Sequence, residues 1–178
     1  MYTFVKKRRK KALTDYPMRV RLLKGNRNRL VIRRSNRGII VQAVKYSPDG
    51  DIVINSARSI ELKKVGWEPR RNTPTAYLTG MALAKKLRGN NDEYVLDIGV
   101  HTPSKASVLF AAALGAADNG IKLINNIDFD RDRLSGKHIG SYISKGAKGN
   151  QFSLYKKSGI DAAKIESMFE NAKKKLSE

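Results

Sequence analysis

The first 37 residues carry 14 Lys and Arg against one acid, Asp15, and no other feature constrains this chain as severely. The bases run from Lys6, Lys7, Arg8, Arg9, Lys10 and Lys11 through Arg19, Arg21, Lys24, Arg27 and Arg29 to Arg33, Arg34 and Arg37. The whole chain of 178 residues has 36 basic and 16 acidic side chains, so the other 141 residues hold 22 against 15, a surplus of only +7. A +13 segment of this length repels itself and needs a polyanion to neutralise it. A merely soluble lysine-rich surface would interleave acids among the bases. Structured RNA is the partner this imbalance fits best.

The length suits one domain with arms, because single domains commonly run to about 100–200 residues. A hydrophobic fraction of 40% supports one core and excludes disorder throughout. Without cysteine the chain has neither a disulfide framework nor a zinc ribbon. The basic N-terminus is not followed by an apolar stretch, so no secretory signal is expected. No window approaches the ~18–20 apolar residues of a membrane span. The expectation is a soluble protein of the cytoplasm.

Residues 1–28 read as a basic RNA-binding arm, broken by Pro17 and Gly25 and too poor in apolar periodicity to order itself without RNA. A core domain over 29–124 follows. Arg29–Arg34, Ile39–Tyr46 and Asp51–Ala57 are predicted strands, joined by the turns Ser35-Asn36-Arg37-Gly38 and Ser47-Pro48-Asp49-Gly50, which makes an antiparallel meander. Thr73-Pro74 reads as a cap and first-turn proline for a helix to about Leu87. Ala76, Gly80 and Ala84 form a smooth stripe on it, suited to lying close on a sheet. Tyr94–Val100 is a predicted buried strand. Thr102-Pro103 repeats the start signal for a helix to about Ala117, and Ile121–Ile124 is a short last strand. The expected fold class is α/β, a three-layer sandwich with a mixed sheet built from the meander and strand–helix units. Residues 125–178 read as a basic loop to about residue 158, then a C-terminal helix capped by Ser158. Its Ile165, Met168, Phe169, Ala172 and Leu176 share one face, which packs on the core.

Catalysis finds little material. His101 and His138 are the only histidines, with no nucleophile elbow, two-histidine metal spacing or phosphate-cradling glycine motif. Asp128-Phe-Asp130-Arg-Asp132 starts like a calcium loop, but its sixth position is Arg133 and its twelfth Ile139. Asp97 on the central strand raises one alternative, an RNA-processing enzyme: a metal-dependent nuclease of ribonuclease H-like topology. Such a site needs several carboxylates around two metals, and the first strand offers Arg33 and Arg34 instead. A DNA-compacting protein is a third reading, which predicts equal affinity for duplex DNA and folded RNA. No catalytic residue, metal, cofactor or small-molecule substrate is expected.

RNA has local support. Arg33-Arg34-Ser35-Asn36-Arg37 puts guanidinium forks and short polar groups on a rigid hairpin. Arg70-Arg71-Asn72-Thr73 lies just ahead of a helix N-terminus, where free N–H groups favour an anion, and Thr102 with Lys105 is expected to repeat that arrangement. In the late loop Tyr142, Lys145, Lys148, Phe152, Tyr155, Lys156 and Lys157 interleave rings with cations, a pattern for stacking on unpaired bases.

Arg29-Leu-Val-Ile-Arg-Arg-Ser-Asn-Arg37, Asn72-Thr-Pro-Thr-Ala-Tyr-Leu-Thr-Gly80 and Leu96-Asp-Ile-Gly-Val-His-Thr-Pro103 closely resemble segments of ribosomal protein L-eighteen, in the family's order. The resemblance covers roughly residues 5–175 and is to the archaeal type. It implies a three-layer α/β/α sandwich. It also implies a structural constituent of the large ribosomal subunit that binds 5S rRNA and helps attach it to the large-subunit rRNA in the central protuberance, beside neighbouring large-subunit proteins. The matching positions are Arg33 to Arg37, Asn72, Thr73 and the turn His101-Thr102-Pro103, while the N-terminal bases match in character. Within the first strand, Leu30, Ile32 and Arg34 share the more apolar, core-facing side. Arg33 is therefore expected to meet RNA with little effect on stability, and Arg34 to matter at least as much for stability.

Overall fold

A computed structural model of the chain describes residues 4–124, 127–145, 155 and 164–178. Three strands, β1 (Asn28–Arg34), β2 (Ile39–Lys45) and β3 (Ile52–Arg58), form the expected meander. Alternation drives it: Leu30, Ile32, Ile39 and Val41 are fully buried on one face of the sheet, and a one-residue slip would turn them all to the other. The first turn closes through Ser35 N–H to the Gly38 carbonyl at 2.8 Å, and the Ser35 hydroxyl accepts from the Arg37 and Gly38 amides. Two parallel strands, β4 (Glu93–Asp97) and β5 (Lys122–Leu123), extend the sheet to the order β3-β2-β1-β4-β5.

Helices α3 (Thr73–Lys86) and α4 (Val108–Asp118) cover the buried face. They cross where glycine meets backbone. A Cβ on Gly80 would lie 2.0 Å from the Ala112 carbonyl oxygen, and one on Gly115 would lie 2.1 Å from that of Tyr77. The small-residue stripe thus serves helix-on-helix contact, where a sheet contact was expected. Helix α3 is buried on every side from Thr73 to Ala84, and its polar groups are accounted for. Thr75 Oγ1 accepts from the Trp67 indole at 2.9 Å, and Thr79 Oγ1 donates to the Thr75 carbonyl. The last helix, here α7 (Ile165–Ser177), lays Ile165, Phe169, Ala172 and Leu176 behind α3, with Phe169 against the rings of Trp67 and Tyr77.

Several boundaries differ from those expected. The cap of α3 is Asn72, whose side chain accepts from Thr75 N–H, and Thr73 is already helical. Helix α4 starts five residues after Pro103, capped by Ser107, because Ala106 adopts a left-handed φ of 58° that no helix continues through. Within the stretch read as a loop, α5 (Arg131–Ser135) and α6 (Lys137–Ser144) form, with Leu134 and Ile139 buried. Ser158 lies outside the described residues. The arm also has structure: α1 (Lys7–Lys10), and α2 (Tyr16–Lys24) capped by Asp15 with Pro17 in its first turn. Pro17 starts this helix rather than breaking the chain. Helix α2 lies over the sheet face opposite α3 and α4, which gives the layers arm, sheet and helix pair, with α7 as further cover.

Gly80→Ala should cost about 3 kcal/mol, the upper end of overpacking penalties, because backbone cannot step aside as a side chain can. Urea unfolding should show a lower midpoint at unchanged slope.

Candidate nucleic-acid interface

The parallel pairing of β1 with β4 brings their carboxyl ends together, and the cationic segments gather there. Arg34 ends β1 and is exposed; Ser35, Asn36 and Arg37 follow it on the exposed hairpin turn. Arg71, exposed, donates to Asn36 Oδ1 at 3.2 Å, which ties the approach to α3 onto the hairpin. Beyond β4 the chain turns through Gly99 to His101, Thr102 and Lys105. Burial first, then Arg34 and Arg33, hold the His101 imidazole below its ordinary pKa. Arg8, Arg33 and His101 line one cavity of about 330 Å³ between arm and sheet.

An alternating chain of charge crosses the sheet face under that cavity. Arg19 of α2 reaches Asp51 at 2.8 Å, and Asp51 meets Arg29 at 2.7 Å. Arg29 meets Asp97 at 3.1 Å, and Asp97 meets Arg33 at 2.8 Å. Register explains the last two contacts. Asp97 pairs with Val31, midway between Arg29 and Arg33 on β1, and strand alternation puts all three β1 residues on one face. Arg29 is only 3% exposed, so its charge is sustained by the two carboxylates, though its Nε has no acceptor among the described residues. Burial pushes the Asp97 carboxyl up, but Arg33, the Gly99 amide and Arg29 outweigh it, and the net shift is downward. Gly99 has φ 68° and sits against the Arg33 guanidinium, 3.0 Å from where a Cβ would be, so a side chain there would displace Arg33.

These contacts redistribute the roles expected of the site residues. Arg33 is not bare: it also donates to the Asp97 carbonyl at 2.7 Å. Arg34 escapes the core because the strand ends at it, as expected, whereas Arg33, expected to matter little for stability, is the one bonded within the fold. Arg29 is buried and closed to a ligand. Thr73 is buried at 7% exposure, and Asn72 uses its amide internally, accepting from Thr75 N–H and donating to Tyr155 Oη at 2.6 Å. Arg70 pairs with Glu68 and lies over the ring of Tyr155, so neither is an open phosphate or base contact. Tyr155 is buried, not offered for stacking. Thr102 and Lys105 are exposed but do not open a helix. Lys6, Lys7, Arg9, Lys10, Lys11 and Arg21 are exposed along the arm; Lys6 lies over the Tyr16 ring, and Arg8 donates to Thr14. Lys145 is exposed at the end of α6. Lys148, Phe152, Lys156 and Lys157 lie outside the described residues. Sequence reasoning missed Asp51, whose position beside a turn carries no signal of its arginine partners.

A family model described as ribosomal large subunit proteins 60S L5 and 50S L18 matches residues 1–93. A protein named large ribosomal subunit protein uL18 from Thermofilum pendens is 41% identical across 97% of this chain and 93% of its own length. The uL18 proteins of Korarchaeum cryptofilum and Saccharolobus solfataricus are 40% and 37% identical, over 96% and 98% of the chain. The chain belongs to the uL18 family. As a uL18 member it is a structural, non-enzymatic constituent of the large ribosomal subunit, associated with rRNA and other subunit proteins in the cytoplasm. The nuclease alternative falls with that membership, and Asp97, the carboxylate it needed, is held between two arginines.

Arg33→Ala should lower stability by about 1–2 kcal/mol, a charge-assisted bond discounted for partial exposure, while Arg34→Ala leaves the thermal midpoint unchanged. Asp97 also predicts a pH dependence. Its folded pKa is depressed, so its contribution is present above the ordinary value of 3.8 and is lost as pH falls through the lower folded value. Acid unfolding curves should show Asp97→Asn losing stability near neutrality and flattening the acid limb.

Proposed function

We propose that this uL18 protein binds 5S rRNA, gripping it with the arm and the corner at the carboxyl ends of β1 and β4, and helps attach it to large-subunit rRNA in the central protuberance. The observation that carries the reading is the gathering of Arg34, Arg37 and Arg71, all exposed, about the hairpin corner beside the cavity that Arg8 of the arm lines. The hairpin is rigid before any ligand arrives, through the Ser35 hydrogen bonds, so its guanidinium groups bind with little ordering cost. The arm supplies charge: every side chain of α1 is exposed and none is acidic. On this reading the arm provides affinity and the corner provides choice of RNA. The 1–28 arm, the 29–124 core and the 125–178 extension then differ in duty as well as composition.

Filter binding of purified protein to 5S rRNA and to an unrelated folded RNA, each over a salt series, tests this. If ~6–10 phosphates are neutralised, raising salt from ~50 to ~200 mM should weaken 5S binding by roughly 10³–10⁵-fold, by analogy with duplex DNA. Deleting residues 1–11 should flatten that slope and keep the preference for 5S rRNA. Arg34→Ala with Arg37→Ala should lower the preference, each by about 1–3 kcal/mol. Equal affinity of the intact protein for both RNAs would refute the proposal.

A further inference from the structure

We infer that two acids, Asp51 and Asp97, are positioning residues for RNA binding: they hold the arm and the β4 turn in place, and so raise affinity for a polyanion that their own charge repels. The inference rests on the RNA reading above and goes beyond it, because counting charge assigns the opposite sign. On a chain of net charge +20 binding RNA, each aspartate removed should tighten the complex.

The geometry says otherwise. Helix α2 carries no fully buried residue and its Leu22 and Leu23 are only half-buried, so apolar packing holds it on the sheet in part. Arg19 ties it to the core through Asp51, at 2.8 Å. Asp51 is itself fixed by Arg29, a guanidinium only 3% exposed, and Arg29 is fixed by Asp97. Asp97 then orients Arg33 by two hydrogen bonds, from side chain and carbonyl. Its Oδ1 also accepts from Gly99 N–H at 2.9 Å, which shapes the turn leading to His101 and Thr102. The same two carboxylates therefore set the position of the arm at one end and of the corner at the other. Without them the arginines keep their charge and lose their direction. A flexible cation gains less from each phosphate than an oriented one, because it must be ordered on binding.

The test compares equal charge changes. Asp51→Asn removes a link of the ladder. Asp49→Asn, two residues away on the exposed turn and with no ion pair among the described residues, removes the same charge and no link. Affinity of each full-length variant for 5S rRNA is measured by filter binding at fixed salt, with thermal melts alongside. Asp51→Asn should bind about tenfold more weakly than Asp49→Asn despite identical net charge, and Asp51→Glu should recover part of the loss. Limited proteolysis of the free protein should cut the arm faster in Asp51→Asn than in Asp49→Asn, a readout that global stability alone does not move when the melts coincide. Asp97→Asn should show the larger loss; because Asp97 is the more buried of Arg29's two partners and also holds Arg33, its loss can unfold the chain, and the decisive comparison is the one at Asp51. Asp51→Asn binding as tightly as Asp49→Asn, or more tightly, overturns the inference while the wild-type preference for 5S rRNA stands. A wild type without that preference defeats the RNA reading instead.

Discussion

The crossing of α3 and α4 at Gly80 and Gly115 is the contact on which the remaining architecture depends. With Cβ positions that would fall about 2 Å from facing carbonyl oxygens, the two helices approach as closely as backbones allow. That closeness lets both lie on the same face of a narrow sheet, over Leu30, Ile32 and Val41, and leaves α3 surrounded. Apolar burial is thereby concentrated on one side. The opposite face of β1 carries Arg29, Val31 and Arg33 and has no helix pair to cover it.

A sheet face left in this way has to solve a charge problem before it can serve any ligand. Arg29 is buried, and an uncompensated guanidinium in that position would cost several kcal/mol. Asp97 and Asp51 supply the compensation from two different strands' ends, so the ladder also fastens β3 and β4 to β1 across the meander. This separates the arginines into two populations by a physical criterion. Arg19, Arg29 and Arg33 have carboxylate partners within the fold. Arg34 at the end of that strand and Arg37 in the turn after it have no ion pair among the described residues and are exposed.

Much of this was legible from residue order, and the exceptions have a common cause. The meander was readable because its signals are local: alternation with period two, and turns built on Ser35 to Gly38 and on Pro48 with Gly50. The stripe on α7 was readable for the same reason at period 3.6. Misreadings arose where a local signal competes with a contact distant in sequence. Alternation correctly put Leu30 and Ile32 in the core, but it could not reveal that Asp97, 64 residues away, waits beside Arg33. Asn72 and Tyr155, 83 residues apart, are the same case. In each, side-chain chemistry is evident and the partner is not, because partnership is set by how distant segments pack together.

The distinction between tied and free cations also explains how one chain can be strongly basic and still fold. A uniform field of +20 would oppose compaction. Instead, bases without an ion pair among the described residues stand where the fold has least to lose, as on the exposed helix α1, at the hairpin tip and in the turn after β4. Where a base must lie inside, as Arg29 does, an acid lies on each side of it. The arrangement leaves Arg34 and Arg37 at the carboxyl end of β1 without an ion pair among the described residues, and their mutual repulsion is a cost that a polyanion would relieve. Affinity for RNA and tolerance of charge are in this sense one property of the fold, set by which arginines the two aspartates can reach.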